Sequence, residues 1–135
     1  MTEHPPALEH RRVQERLVEI FDALATSHGF QASANLRIKM ADGRIRVADV
    51  AVFRDAPPDP LPTKPPLVVI DVLSDDRWNE LIERLHDFQE WRVPNIWLVD
   101  TNRRELMIYR GWSIVPAKSL TLPFIPFEIR CSDLG

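Results

Sequence analysis

The chain has 135 residues, of which 44% are hydrophobic and 27% charged, and its formal net charge is −3. This length is typical of one domain, which is expected to span residues 1–135. The slightly negative net charge argues against a protein that binds nucleic acid mainly through a strongly basic surface. The single cysteine, Cys131, excludes an internal disulfide, which fits the reducing cytoplasm. No apolar run approaches the ~20 residues that span a bilayer. A cytoplasmic protein without a signal peptide is therefore expected.

The sequence begins with a predicted helix. Between Glu9 and Ser27, apolar residues recur at helical spacing, and charged residues occupy the other face. The apolar stripe comprises Val13, Leu17, Ile20 and Leu24. Gly29 favours the end of the helix, because glycine adopts the left-handed conformation of a C-terminal cap at little steric cost.

A β-hairpin is predicted after this helix. Residues 36–40 alternate between apolar and polar, as in a strand with one solvated face, and Asp42-Gly43 is a strong signal for a tight turn. The returning strand is expected at Arg44–Phe53. Its alternate residues are predicted to share one face, on which Asp49 is the only polar member: Ile45, Val47, Asp49, Ala51 and Phe53.

The middle of the chain predicts a strand followed by a helix. A proline-rich segment excludes regular structure before the strand: Pro57, Pro58, Pro60, Pro62, Pro65 and Pro66. The apolar run Leu67–Leu73 is typical of an inner strand covered on both faces. Ser74 is the expected N-cap of the helix. The buried stripe of this helix is predicted to contain Trp78, Leu81, Ile82, Leu85 and Phe88.

A second apolar strand follows the helix. Pro94 ends the helix, and Ile96–Val99 then forms a strand, so that strand, helix and strand make a right-handed βαβ unit with parallel neighbours. Glu105–Arg110 is expected to pair antiparallel with this strand and to be extended by Trp112–Val115.

The tail at 122–129 is expected to pack as an extended segment through Phe124 and Phe127. The predicted order of elements along the chain is therefore α-β-β-β-α-β-β. This order places the chain in the α/β (α+β) class, with a mixed β-sheet flanked by helices.

Two aspartates interrupt strands that are otherwise apolar. Asp49 lies within Val47–Val52, and Asp71 lies within Val69–Leu73. Burying an ionised carboxylate costs several kcal/mol unless it is paired or bound to a metal, and two acids on adjacent strands repel each other. A divalent cation between them removes the repulsion, and Mg²⁺ typically takes one or two protein carboxylates. The alternative is that each acid lies at a strand end beside an arginine.

Arg84 is the third candidate site residue. Helical spacing places it at the edge of the buried stripe, near the carboxyl end of the strand that holds Asp71. An arginine at this position can bind a phosphate or neutralise the acids, and the alternative is a solvated residue at the helix edge. Glu15 and Glu19 are expected to face away from the apolar stripe of the first helix, although Glu19 reaches the site if that helix is rotated.

Four short motifs lie along the chain: Asp49-Val50, Val69-Ile70-Asp71-Val72-Leu73-Ser74, Pro94-Asn95-Ile96-Trp97-Leu98-Val99-Asp100 and Tyr109-Arg110. Together they resemble the Uma family, a bacterial branch of the restriction-endonuclease-like PD-(D/E)XK superfamily. The resemblance covers nearly the whole chain, from an opening helix at His10–Leu24 to a closing segment at Leu120–Ile129. It implies a metal-binding core in which Asp49 and Asp71 are the acids and Arg84 occupies the position of a lysine.

The chain departs from this family pattern near each of the implied site residues. Ala48 replaces a proline, and Asp71 replaces the commoner glutamate, which shortens the reach of the carboxylate by one methylene. Arg84 replaces a lysine, which keeps the positive charge but loses the titratable amine. An arginine can stabilise negative charge at phosphorus, but it is a poor general base.

The resemblance implies an endonuclease that hydrolyses DNA phosphodiester bonds with Mg²⁺ or Mn²⁺. Asp49 and Asp71 would hold the ion, and Arg84 would bind the scissile phosphate. The alternative is a catalytically impaired nuclease-fold protein that serves as a nucleic-acid-binding or oligomeric interaction module, which the departures at Asp71 and Arg84 favour. A homodimer is compatible with cleavage of a duplex, because this needs two sites and the tryptophans can supply an interface.

Overall fold

The computed structural model describes residues 6–54, 64–73 and 78–135. Their helices and strands are, in chain order, α1 (Pro6–Asp22), α2 (Ala25–His28), β1 (Gln31–Lys39), β2 (Ile45–Phe53), β3 (Val68–Leu73), α3 (Trp78–Glu90), β4 (Asn95–Asp100), β5 (Glu105–Arg110), β6 (Ser113–Ala117), β7 (Leu120–Thr121), β8 (Glu128–Ile129) and a 3₁₀ helix (Cys131–Leu134). Six strands form one mixed sheet in the order β1-β2-β3-β4-β5-β6, and β7 pairs with β8. This arrangement confirms the predicted mixed sheet with helices.

The centre of the sheet is the predicted βαβ unit. β3 and β4 are parallel neighbours, and every residue of β3 is buried. The other neighbouring pairs of the sheet are antiparallel. The apolar sequence of β3 explains its inner position, because core side chains cover both of its faces. None of the described helices is both long and apolar enough to cross a bilayer.

α1 covers one face of the sheet with Val13, Leu17 and Phe21, which belong to the core beneath it. The predicted helix ends before Gly29, whose φ is +70°, but it is divided into α1 and α2. At the division, the N–H of Leu24 donates to the carbonyl of Phe21 at 2.9 Å. This three-residue spacing tightens the turn and separates the two helices.

α3 covers the opposite face of the sheet and buries Leu81, Leu85 and Phe88. The prediction that Trp78 is buried is wrong, because its side chain is 57% exposed. Trp78 has the spacing of the stripe, but it lies in the first described turn of the helix, ahead of the residues that reach the core. The predicted N-cap, Ser74, lies outside the described residues, as do the prolines at 57–62.

The alternate residues of β2 do not all lie on one face of the sheet, although the sequence predicted that they would. Its alternate residues form an exposed pair, Ile45 and Val47, and a buried pair, Ala51 and Phe53. The change occurs at Asp49, which lacks a ladder partner in β1 because Asn35 opposite it has a φ of +51°. Both strands reverse the direction of their side chains at this point, so the expectation of one shared face is wrong.

The chain after β5 turns back instead of extending that strand. Gly111 and Trp112 have positive φ values of +56° and +68°, the backbone geometry of a two-residue hairpin turn. The predicted extension at Trp112–Val115 is therefore wrong, since Ser113–Ala117 forms the separate strand β6, which pairs antiparallel with β5.

The tail confirms one predicted contact and contradicts another. Phe127 stacks on Phe21 with ring centroids 5.0 Å apart, against the core under α1. Phe124 is 43% exposed, so the prediction that the tail also packs through Phe124 is wrong. Its ring instead lies under the guanidinium of Arg54, with Cζ 4.9 Å from the centroid, and this cation–π contact accounts for its position at the surface.

The turn between β1 and β2 is fastened to α3 by charged residues. Gly43 has a φ of +89°, as expected for the predicted Asp42-Gly43 turn. The backbone N–H and the guanidinium of Arg44 lower the pKa of the Asp42 carboxyl. From α3, Asp87 accepts hydrogen bonds from Arg44 Nη2 at 2.9 Å and from Arg46 Nε at 2.6 Å. These contacts fix the hairpin against the helix.

Replacing Asp87 with alanine is expected to lower the free energy of unfolding by about 2 kcal/mol, because both arginines lose a charged acceptor. Urea denaturation followed by tryptophan fluorescence measures the change. Glu83→Ala, at an exposed position of the same helix, is the control and is expected to change stability by less than about 0.5 kcal/mol. An Asp87→Ala effect no larger than that of the control contradicts this role.

Candidate active site

Asp49 lies where β2 separates from β3. The ladder between the two strands ends at Val50 opposite Ile70. Beyond it, the N–H of Val72 donates to the Oδ2 atom of Asp49 at 2.8 Å. The carboxylate thus takes the place of a backbone acceptor, and the Asp49 side chain remains 19% exposed at the separation of the strands.

Asp71, in the middle of β3, has no exposed surface. Val69 and Leu73, which share its face of the strand, pack in the core under α3. From α3, Arg84 Nε donates to Asp71 Oδ2 at 3.0 Å, and the Arg84 side chain is 23% exposed. An uncompensated buried carboxylate costs several kcal/mol, so the guanidinium stabilises the charged form of Asp71 in its position.

Two polar residues of α1 reach Asp49 from the other face of the sheet. His10 Nε2 lies 3.3 Å from Asp49 Oδ2. Gln14 is 4% exposed, and its Nε2 donates to Asn35 Oδ1 at 2.9 Å and to the backbone carbonyl of Asp49 at 2.8 Å. The two acids therefore have different partners: Asp49 contacts α1 and the N–H of Val72 in β3, whereas Asp71 contacts α3.

His10, Gln14 and Asn35 were not among the predicted site residues. His10 and Gln14 carry a signal that was available, because they lie one turn apart within the same helical stripe as Leu17 and Phe21. Polar residues inside an apolar stripe indicate a polar partner in the layer beneath. Asn35 carries no comparable local signal, since its partner Gln14 is 21 residues away.

Residues 1–123 match the family model of Uma2, whose description is "Putative restriction endonuclease". This chain belongs to the Uma2 family. The match covers most of the chain and includes all three predicted site residues, Asp49, Asp71 and Arg84. A comparison with curated proteins gives no match.

The Uma2 chain is similar in structure to a protein described as a putative nuclease belonging to DUF820, from Anabaena variabilis. The TM-score with that crystal structure is 0.76, over 99% of this chain and 82% of the other. The two sequences are 17% identical, so the similarity establishes the shared fold. The family description places the Uma2 chain in a restriction-endonuclease-like family, and the structural similarity adds the shared fold.

The Uma2 fold brings the predicted site residues together in part. Asp49 and Asp71 lie on adjacent strands, and Arg84 contacts Asp71 directly. Glu15 and Glu19 are exposed on α1, as expected for residues that face away from the apolar stripe. Glu19 accepts a hydrogen bond from Arg16 at 3.3 Å and does not take part in the contacts around Asp49.

The donor set of this Uma2 site suits a hard divalent cation. Asp49 and Asp71 supply carboxylate oxygens, and Mg²⁺ typically takes one or two protein carboxylates and keeps several waters. Within residues 6–54, 64–73 and 78–135, no group of three or more His, Cys, Asp or Glu side chains is placed so that it could hold a metal ion. An ion at Asp49 and Asp71 would therefore take most of its ligands from water, which Mg²⁺ accepts. A cation bound at Asp71 would neutralise the Asp71 carboxylate either together with the guanidinium of Arg84 or in its place.

Replacing Arg84 with methionine is expected to lower the free energy of unfolding by about 3 kcal/mol, because it removes the guanidinium and leaves the Asp71 carboxylate buried. The double variant Asp71→Asn/Arg84→Met is expected to recover most of this loss, since the charge is removed together with its partner. Urea denaturation of the two single variants and the double variant gives the coupling energy. Additive losses would show that the pair does not stabilise the fold.

Proposed function

We propose that this Uma2 protein is an endonuclease that hydrolyses phosphodiester bonds of DNA with Mg²⁺ or Mn²⁺. The observation that supports this function is the placement of two carboxylates, those of Asp49 and Asp71, on adjacent strands where β2 and β3 separate. Carboxylates on neighbouring strands are the ligands that a nuclease would use to hold a hard divalent ion. A homodimer would supply the two sites needed to cut both strands of a duplex.

Each site residue has a distinct role in this proposal. Asp49 and Asp71 would hold the ion, which when bound activates water and stabilises negative charge at phosphorus. Arg84, whose Nε donates to Asp71, would bind the scissile phosphate through its guanidinium. The partial exposure of Arg84 lets a phosphate approach from solvent. Arg84 does not accept the proton of the attacking water, because a guanidinium stays charged at physiological pH.

Nicking of supercoiled plasmid DNA tests this function. The wild-type protein is expected to produce open-circular DNA with Mg²⁺ or Mn²⁺, and EDTA is expected to stop the reaction. Asp49→Asn and Asp71→Asn are each expected to reduce the rate about 100-fold or more, because an amide is a weaker and uncharged ligand for a hard cation. Gel electrophoresis over a time course gives the rates.

Glu19→Gln is the matched control for these two variants. It also replaces one carboxylate, but at an exposed position of α1 that contacts Arg16. Its nicking rate is expected to equal that of the wild type. Equal rates in the wild type and in both aspartate variants would rule out Asp49 and Asp71 as the ligands, and EDTA-resistant nicking would rule out the divalent ion.

The ion pair between Arg84 and Asp71 favours a second function. A guanidinium at 3.0 Å already compensates the buried acid, so the fold does not require a cation at this position. In this case the protein is a catalytically impaired member of its nuclease family that acts as a nucleic-acid-binding or oligomeric interaction module.

Titration calorimetry separates the two functions. The endonuclease is expected to bind Mn²⁺ in the wild type and to lose this binding in Asp71→Asn. The binding module is expected to give no heat with Mn²⁺, but to bind a short DNA duplex with an affinity that falls steeply as salt is raised, because phosphate contacts release counterions. A chain that binds neither Mn²⁺ nor DNA contradicts both nucleic-acid functions.

A further inference from the structure

Gln14 is buried in α1 and contacts both residues at which the pairing of β1 and β2 is interrupted, Asn35 and Asp49. We infer that Gln14 is a positioning residue, whose amide holds this interruption and thereby directs the Asp49 carboxylate into the gap beside β3. The consequence for metal binding rests on the proposed function, whereas the effect on the Asp49 carboxylate does not.

The interruption is a local reversal of both strands. β1 and β2 pair on either side of Asn35 and Asp49, but not at these two residues. In β1, Ala32 packs in the core under α1, whereas Ile38 packs in the core under α3. Asn35 makes this change of face with a left-handed backbone, which asparagine tolerates better than most residues.

The chemistry of Gln14 suits both contacts, because a neutral side-chain amide has two N–H donors on one nitrogen. Gln14 Nε2 donates to the side-chain carbonyl of Asn35 and to the backbone carbonyl of Asp49. Asp49 has no register partner in β1 or β3, and Gln14 supplies a hydrogen-bond donor to its backbone carbonyl. Since Gln14 is only 4% exposed, water does not easily replace it.

These contacts fix Asp49 at two points. Its backbone carbonyl is held by Gln14 from the side of α1, and its Oδ2 accepts from the N–H of Val72 within the sheet. With both points fixed, the carboxylate stays between β2 and β3, beside the strand that holds Asp71. Loss of the first contact allows the Asp49 backbone to rotate and withdraws the carboxylate from Val72.

Hydrogen exchange at the Val72 amide tests this role in metal-free protein. The Val72 N–H is protected by the Asp49 carboxylate, so its exchange rate reports the position of that carboxylate. Gln14→Met keeps the length of the side chain but removes both donors. It is expected to accelerate Val72 exchange about fivefold or more, while the amides of β5 keep their rates.

Two further variants separate positioning from a general loss of stability. Val13→Ala removes core volume at the neighbouring position of α1 and leaves the Gln14 amide in place, so Val72 is expected to exchange at its wild-type rate relative to β5. Asn35→Gly keeps the positive φ but removes one acceptor, so it is expected to accelerate Val72 less than Gln14→Met does.

Three results would overturn the inference: an unchanged Val72 rate in folded Gln14→Met, an equal acceleration in Val13→Ala, or, if Gln14→Met does not fold, a wild-type rate in Asn35→Gly.

Calorimetry with Mn²⁺ extends the test to the proposed site. Where the wild type binds Mn²⁺, Gln14→Met is expected to weaken the affinity about tenfold or more, and equal affinities overturn the role in metal binding. Where the wild type neither binds Mn²⁺ nor nicks DNA, the proposed function fails, and Val72 exchange still decides the role of Gln14.

Discussion

The buried charge of Asp71 governs the position of the helix that covers it. A carboxylate with no exposed surface in an inner strand needs a compensating group from a neighbouring element, and α3 provides Arg84. Three residues further along, the same helix is held to the β1–β2 hairpin through Asp87. Residues at this spacing lie on the same side of a helix, so the hairpin contacts and the ion pair fix the rotation of α3 together.

Asp49 satisfies a different physical requirement from Asp71. Its carboxylate completes a backbone hydrogen bond at the end of a ladder, and it keeps some contact with solvent. The helix α1 then holds it from the other face through His10 and Gln14. The two acids of one candidate site are thus supported by different helices, and Asp49 is the more exposed of the two.

The fold was predictable where a local pattern reports burial directly. The apolar run of β3 predicted an inner strand, and Asp71 stood out as the only acid within that run. Helical spacing then placed Arg84 near the end of the same strand. The change of face in β2 was not predictable in this way, because a period of two residues presupposes an unbroken ladder. That ladder is broken by the backbone of Asn35 and by its contact with Gln14, 21 residues distant, and no local pattern encodes such a contact.

The left-handed backbone of Asn35 has a further effect at the border of the sheet. In the part of the chain that the structure describes, β1 is an outer strand, and a long, flat outer strand invites addition of a strand from another molecule. The reversal divides β1 into two short stretches that do not present a continuous border. The opposite border is β6, which contains Pro116 and so lacks one backbone N–H. Both borders thereby resist the edge-to-edge association that leads to aggregation.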